Sequence, residues 1–175
     1  MNDAVQGHEA PAAAAAPLSP GVGLLVLLGL IVVIGAFLWI THLMSITEVW
    51  VAFLFLLYWA GINHSSMAML PSTICGAVCG LLLAYALQQL PLLMGNAGLG
   101  VFLGLILAAV FCQIVGWLPL LINMSCMLFL TVGTIPLIQA GFKLPGLLMA
   151  LAAGIVYFGG IIWLGTAWQA RRAKP

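Results

Sequence analysis

The chain has 175 residues, 65% of them hydrophobic and 4% charged, with a formal net charge of +1 and a mean hydropathy of +1.29. A soluble domain needs a charged, mixed surface to stay dispersed, and four basic and three acidic residues cannot supply one, so lipid is the solvent this composition suits. The near-neutral balance and the lack of any basic run exclude a surface that tracks phosphates, and no nucleic-acid partner is expected.

Residues 1–20 form an Ala/Pro-rich tail whose composition cannot bury a core and predicts disorder. No Lys or Arg precedes the first apolar run, so the tail does not read as a secretory leader, and that run is expected to stay in the protein. Apolar segments then follow one another with little between them. A helix needs roughly 20 residues to cross the hydrocarbon core, and on that ruler six fit, at about 21–41, 47–63, 70–90, 97–117, 119–137 and 144–167. Thr41-His42 and Ser45-Ile46-Thr47-Glu48 separate the first two, and Asn63-His64-Ser65-Ser66 ends the second. Leu70-Pro71 opens the third, since proline suits a first helical turn. Gln88-Gln89-Leu90-Pro91, Trp117-Leu118-Pro119 and the stretch from Pro136 to Lys143 mark the later breaks. The runs are continuously apolar rather than alternating, which favours helices over barrel strands. The sequence thus predicts an all-α integral membrane protein, with a six-helix domain over 21–168 and a basic tail over 169–175.

Arg171, Arg172 and Lys174 follow the last segment and place that end in the cytoplasm; an even helix count brings the N-terminus there too, and Lys143 falls in an outer loop. A bacterial inner membrane is the expected location. The six tryptophans mostly sit near segment ends, as interfacial anchors do.

One stretch occurs twice. Gly23-Leu24-Leu25-Val26-Leu27-Leu28-Gly29-Leu30-Ile31 agrees at seven of nine positions with Gly98-Leu99-Gly100-Val101-Phe102-Leu103-Gly104-Leu105-Ile106. The offset is 75 residues and becomes 74 further on, where Phe53-Leu54-Phe55-Leu56 lies on Met127-Leu128-Phe129-Leu130, Leu70-Pro71 on Leu144-Pro145, and Gly80 on Gly154. Chance agreement in a Leu-rich background is the competing explanation. Three helices per half is an odd number, so the second half must enter the membrane from the other side. The expectation is two inverted three-helix repeats, an arrangement that transporters and channels share.

Ionisable residues inside spans are the usual pointer to a membrane site, and none falls at depth here; Glu48 opens a helix near the interface. Without an intramembrane carboxylate, a passive path for a small neutral solute is favoured over ion-coupled transport. Asn63, His64 and Ser65, with Ser66, form the strongest polar cluster. It suits a pore mouth with His64 as a titrating gate, though the same residue types cap helices and make turns. Gln113, Asn123, Ser125, Thr131 and Thr134 are the other candidates for the path, and such residues also hydrogen-bond between membrane helices as structural glue. Gly76-x-x-x-Gly80 and Gly100-x-x-x-Gly104 allow close helix approach and mark packing seams, with a homo-oligomer contact as a further use.

Cys75, Cys79, Cys112 and Cys126 all lie in apolar segments, without Cys-x-x-Cys spacing, and read as small buried residues. Met124 and Met127 supply a single Met-x-x-Met pair, too little for a soft-metal path. No metal site or cofactor is expected, and no nucleophile–base pairing supports an enzyme.

Trp50-Val51-Ala52-Phe53-Leu54 with Tyr58-Trp59-Ala60, the Gly76 to Gly80 segment, Phe129-Leu130-Thr131-Val132-Gly133-Thr134 and a Gly-rich last helix ending in Trp163-Leu164 form a pattern. It resembles a bacterial inner-membrane family of unknown function, the YcdZ family, although Val132 stands where that family has proline. The resemblance implies a six-helix inner-membrane protein and brings no substrate. Leu57-Tyr58-Trp59-Ala60-Gly61-Ile62-Asn63-His64 is locally similar to the six-helix urea and amide channels. The expected function is a channel or facilitator for a small neutral solute; the alternative is a non-transporting membrane assembly or partner subunit.

Overall fold

The computed structural model describes residues 19–172. The expected disorder of 1–20 therefore lies almost wholly outside the described residues, as do the last three residues of the basic tail. All regular elements in the described residues are helical: α1 (Pro20–Leu43), α2 (Trp50–Leu56) running on as a π-helix (Leu57–Ile62), α3 (Leu70–Met94), α4 (Asn96–Val115), α5 (Met124–Gly133), α6 (Pro136–Ala140) and α7 (Leu144–Arg172). The chain divides into two compact units, Met1–Phe37 and Leu38–Pro175.

The first unit holds most of α1. Its successive residues Leu24, Leu25, Val26, Leu27 and Leu28 are all exposed. A helix that is apolar all round is built for a lipid surround.

Among the described residues, four helices are long and apolar enough to cross a membrane: α1, α3, α4 and α7 over Leu144–Gln169. A membrane-embedded helical protein follows from that. The second and fifth sequence segments differ from the expectation. They form shorter apolar helices, Trp50–Ile62 and Met124–Gly133, which span roughly 20 Å and 15 Å at 1.5 Å per residue. The turn after Asn63 stops the first. The non-helical stretch before the Asn123 cap delays the second, and Thr134 and Pro136 end it early. In the other direction, α3 runs past Pro91 to Met94, because proline near a helix end sacrifices one late hydrogen bond only. It stops at Gly95, where φ is +59° and a side chain would be strained.

Within the second unit, α5 lies along α3 in parallel. Gly76 meets the Asn123 side chain, Gly80 meets the Cys126 carbonyl and Phe129, and Gly133 meets Ala84. A methyl group on Gly80 would lie 2.8 Å from Phe129 Cβ, and one on Gly133 2.6 Å from Ala84 Cβ, so glycine is what lets these backbones touch. Gln139 on α6 donates to the carbonyls of Ala84 (3.0 Å) and Gly133 (2.6 Å), which continues the same path along α3. Residues 123–143 therefore travel most of the length of α3 as a broken helix. α4 returns antiparallel to α3, with Gly98 seated on the Leu90 carbonyl and Pro91. On the other side α7 receives α2. Gly154 faces Ala52, where a methyl group would lie 2.6 Å from Ala52 Cβ, and the Phe53 and Phe158 rings are 6.3 Å apart.

The core gathers Val51, Phe55 and Trp59 from the short second segment, Ala77, Leu81 and Ala84 from α3, Phe129 from α5, and Leu147 and Leu151 from α7. Trp59 corrects the interfacial-anchor reading for that residue. It is fully buried, and its Nε1–H donates to the Ser66 carbonyl at 2.9 Å. Trp39, Trp117, Trp163 and Trp168 are exposed. Gly100 and Gly104, expected at a seam, face open space instead: a methyl group on either would meet no atom within 4 Å.

Candidate functional site

Three irregularities of backbone fall together where the second segment turns into α3. The π-helix Leu57–Ile62 widens the last turns of the second segment; such turns recur at functional sites. His64 (φ 48°) and Ser65 (φ 57°) are successive non-glycine residues in the left-handed region, each costing about 1 kcal/mol or more. The strained turn is held from both flanks, by the Trp59 indole on Ser66 and by Asn63 on Thr73.

Asn63 Nδ2 donates to Thr73 Oγ1 at 2.9 Å, and the Thr73 hydroxyl in turn donates to the Met69 carbonyl at 2.8 Å. This is the usual back-bonding of a threonine early in a helix. The Thr73 carbonyl accepts from Ser125 Oγ at 3.0 Å, and Ser125 is fully buried. Tyr58, on the π-helix, lies beside this network: its carbonyl accepts from the Asn63 backbone amide at 3.2 Å, and its side chain is close to the Asn63 side chain and to Ser125. Asn123 closes the network. Its Oδ1 accepts from the Cys126 amide at 3.2 Å and so caps α5, while Nδ2 donates to Ser72 O at 2.9 Å, Pro119 O at 3.1 Å and Leu120 O at 3.2 Å. Gly76 leaves the room that the Asn123 amide occupies.

Of the residues singled out from sequence, Asn63, Asn123 and Ser125 thus meet in one network at the N-terminal end of α3. Ser65 belongs to the strained turn, and His64 is exposed on it. Gln113, Thr131 and Thr134 lie elsewhere. Gln113 is exposed on α4. The Thr131 hydroxyl bonds Met127 O at 2.7 Å and Thr134 bonds Thr131 O at 2.9 Å, so both serve their own helix end. Sequence reasoning missed Tyr58 and Thr73. Neither carried a signal of its own, since Thr73 is a threonine in a predicted first turn and Tyr58 one aromatic among many.

The network contains amides, hydroxyls and carbonyls and no carboxylate, ammonium or imidazole. Every buried side-chain N or O atom among the described residues has a hydrogen-bond partner. No three His, Cys, Asp or Glu side chains come together among the described residues. Cys79 and Cys126 approach one another across the α3–α5 seam, a proximity the sequence spacing did not suggest. Amides and hydroxyls of this kind can exchange hydrogen bonds with an uncharged polar molecule.

Searches of protein-family models, curated proteins and solved structures give no match to this chain.

Proposed function

We propose that the chain is a channel or facilitator for a small neutral solute, with Asn63, Thr73, Asn123, Ser125 and Tyr58 at the mouth of the path. The observation that carries this reading is the charge-free network itself. It sits where two short helices and a strained turn interrupt the spans, and irregular backbone is tolerated in a membrane where it is buried in protein or lines a cavity. A solute with paired donors and acceptors, such as urea, an amide or a polyol, matches amides and hydroxyls without the desolvation cost of a charge. The local similarity to the urea and amide channels points the same way. Swelling of proteoliposomes tests it: permeability to at least one of these solutes above protein-free vesicles is expected, and none above that baseline sinks the reading.

The architecture proposed for this function is the pair of inverted three-helix repeats, six crossings in all, with the shorter second and fifth segments crossing as broken helices. Reciprocal packing supports it. Gly80 packs on Cys126 and Gly154 packs on Ala52. Gly80 and Gly154 are 74 residues apart, and so are Ala52 and Cys126. On this reading the two seams are one contact seen from either half. Both termini then lie in the cytoplasm of a bacterial cell, consistent with Arg171 and Arg172 ending α7, and membership of a YcdZ-like inner-membrane family is part of this reading.

A non-transporting assembly subunit is the second reading. It is favoured by the complete internal pairing of the polar network, which is also what glue requires. The open Gly100 and Gly104 face of α4 offers a seam for a homo-oligomer under either reading.

A further inference from the structure

A cavity of about 500 Å³ opens at the other end of α3, between its last turns and the start of α7. Tyr85, Gln88 and Gln89 line it from α3, and Phe142, Lys143 and Pro145 from the start of α7. The Tyr85 ring is fixed by stacking on Phe142, with centroids 6.2 Å apart and planes 20° apart. The walls carry one charge, a cation. Lysine offers three N–H donors and no acceptor, and the tyrosine hydroxyl and both glutamine amides can each donate. Lys143 also stands at the N-cap of a 29-residue helix, since Leu147 N bonds its carbonyl at 3.1 Å. The first-turn amides have no acceptor within their own helix.

Lys143 has no carboxylate to neutralise it among the described residues. Glu48, the one acidic residue described, accepts from Trp50 Nε1 at 2.9 Å and from the Thr47 hydroxyl at 3.5 Å. The cluster is not repeated in the other half of the chain. At the 74-residue offset the Leu144-Pro145 turn corresponds to Leu70-Pro71, where Met69 stands in place of Lys143, and Gln88 and Gln89 correspond to Ile162 and Trp163. Only one half of the chain gathers cation, amides and phenol around this helix start. The position, at the ends of two long apolar helices, is where headgroups lie.

We infer that this cavity binds a phosphate-class anion, with Lys143 as the charge partner and Gln88, Gln89 and Tyr85 as hydrogen-bond donors. The phosphate comes from a phospholipid headgroup or from solution, and one experiment separates the two. The full chain in detergent is titrated with phosphatidylglycerol, with diacylglycerol as the phosphate-free lipid, and separately with inorganic phosphate. Native mass spectrometry reads the lipid arms and calorimetry the phosphate arm. Lys143→Gln should weaken binding roughly fivefold, the effect of one basic residue near an anionic headgroup. Lys143→Arg should hold it, and Arg171→Gln, at the far end of α7, should leave it unchanged. That pattern in the lipid arm, with diacylglycerol unbound, assigns a lipid site; the same pattern in the phosphate arm assigns a soluble ligand. Equal binding by wild type and Lys143→Gln in both arms overturns the inference, as does an equal loss in Arg171→Gln.

Discussion

Asn123 joins three pieces of chain with one side chain. Its oxygen caps α5 while its nitrogen ties the 119–120 carbonyls and Ser72 of α3 to the same point. Replacing an N-cap asparagine by alanine costs about 1 kcal/mol, and losing the half-buried bond to the Ser72 carbonyl adds about 1 kcal/mol. Asn123→Ala should therefore lower stability by roughly 2 kcal/mol, read as a lower thermal midpoint in detergent, whereas Thr131→Val, at an exposed hydroxyl that bonds its own helix, should move it little. An unchanged midpoint for Asn123→Ala would show that the network contributes nothing to holding α5. At this scale the sequence was informative about residue type and silent about partners. Asn63, Asn123 and Ser125 stand out in apolar surroundings, but Thr73 reads as an ordinary first-turn threonine and Tyr58 as one aromatic among many. Both gain their meaning from the π-helix and the α5 start, which are brought to them by tertiary packing.

The glycines set the elements in place. Gly80 and Gly154 each sit where a methyl group would collide with a neighbouring helix, and Gly100 and Gly104 sit in open space. A valine at either of the first two overpacks a seam and costs about 1–3 kcal/mol. Gly80→Val and Gly154→Val should both destabilise, by similar amounts if the two seams are equivalent, while Gly100→Val should be tolerated in a monomer. Thermal unfolding of the three purified variants checks this. A destabilised Gly100→Val alongside an unaffected Gly154→Val would contradict the assignment of seams. Sequence alone treated Gly76-x-x-x-Gly80 and Gly100-x-x-x-Gly104 as equals, because the pattern records only that close approach is permitted. It also located all six apolar segments while overstating two of them. Hydropathy does not register that a polar turn at Asn63 or a cap at Asn123 takes residues out of a helix while leaving the apolar run intact.

At the scale of the whole molecule, the proposed inverted repeat makes the two halves interchangeable by a flip across the membrane. Lys143 then lies on the opposite side from Arg171, and a membrane-impermeant amine reagent should label Lys143 from outside intact cells while an arginine-directed one does not reach Arg171. Labelling of both from the same side would rule out the inverted arrangement. The 75- and 74-residue offsets were visible in the sequence because glycine and Leu-Pro landmarks stand out where leucine-rich background carries no register. The proposed path was not legible in the sequence, since a neutral path would use the same serine, threonine and asparagine that pack helices together. The most direct measurement is stopped-flow flux of urea, acetamide and glycerol into proteoliposomes containing the wild type or Asn63→Leu, with gel filtration to confirm that both are folded. Wild-type flux above protein-free vesicles is expected, falling about fivefold in Asn63→Leu, the effect of one hydrogen bond of roughly 1 kcal/mol. Flux at the protein-free level for all three solutes, or equal flux through the two proteins, would contradict a path that opens at Asn63.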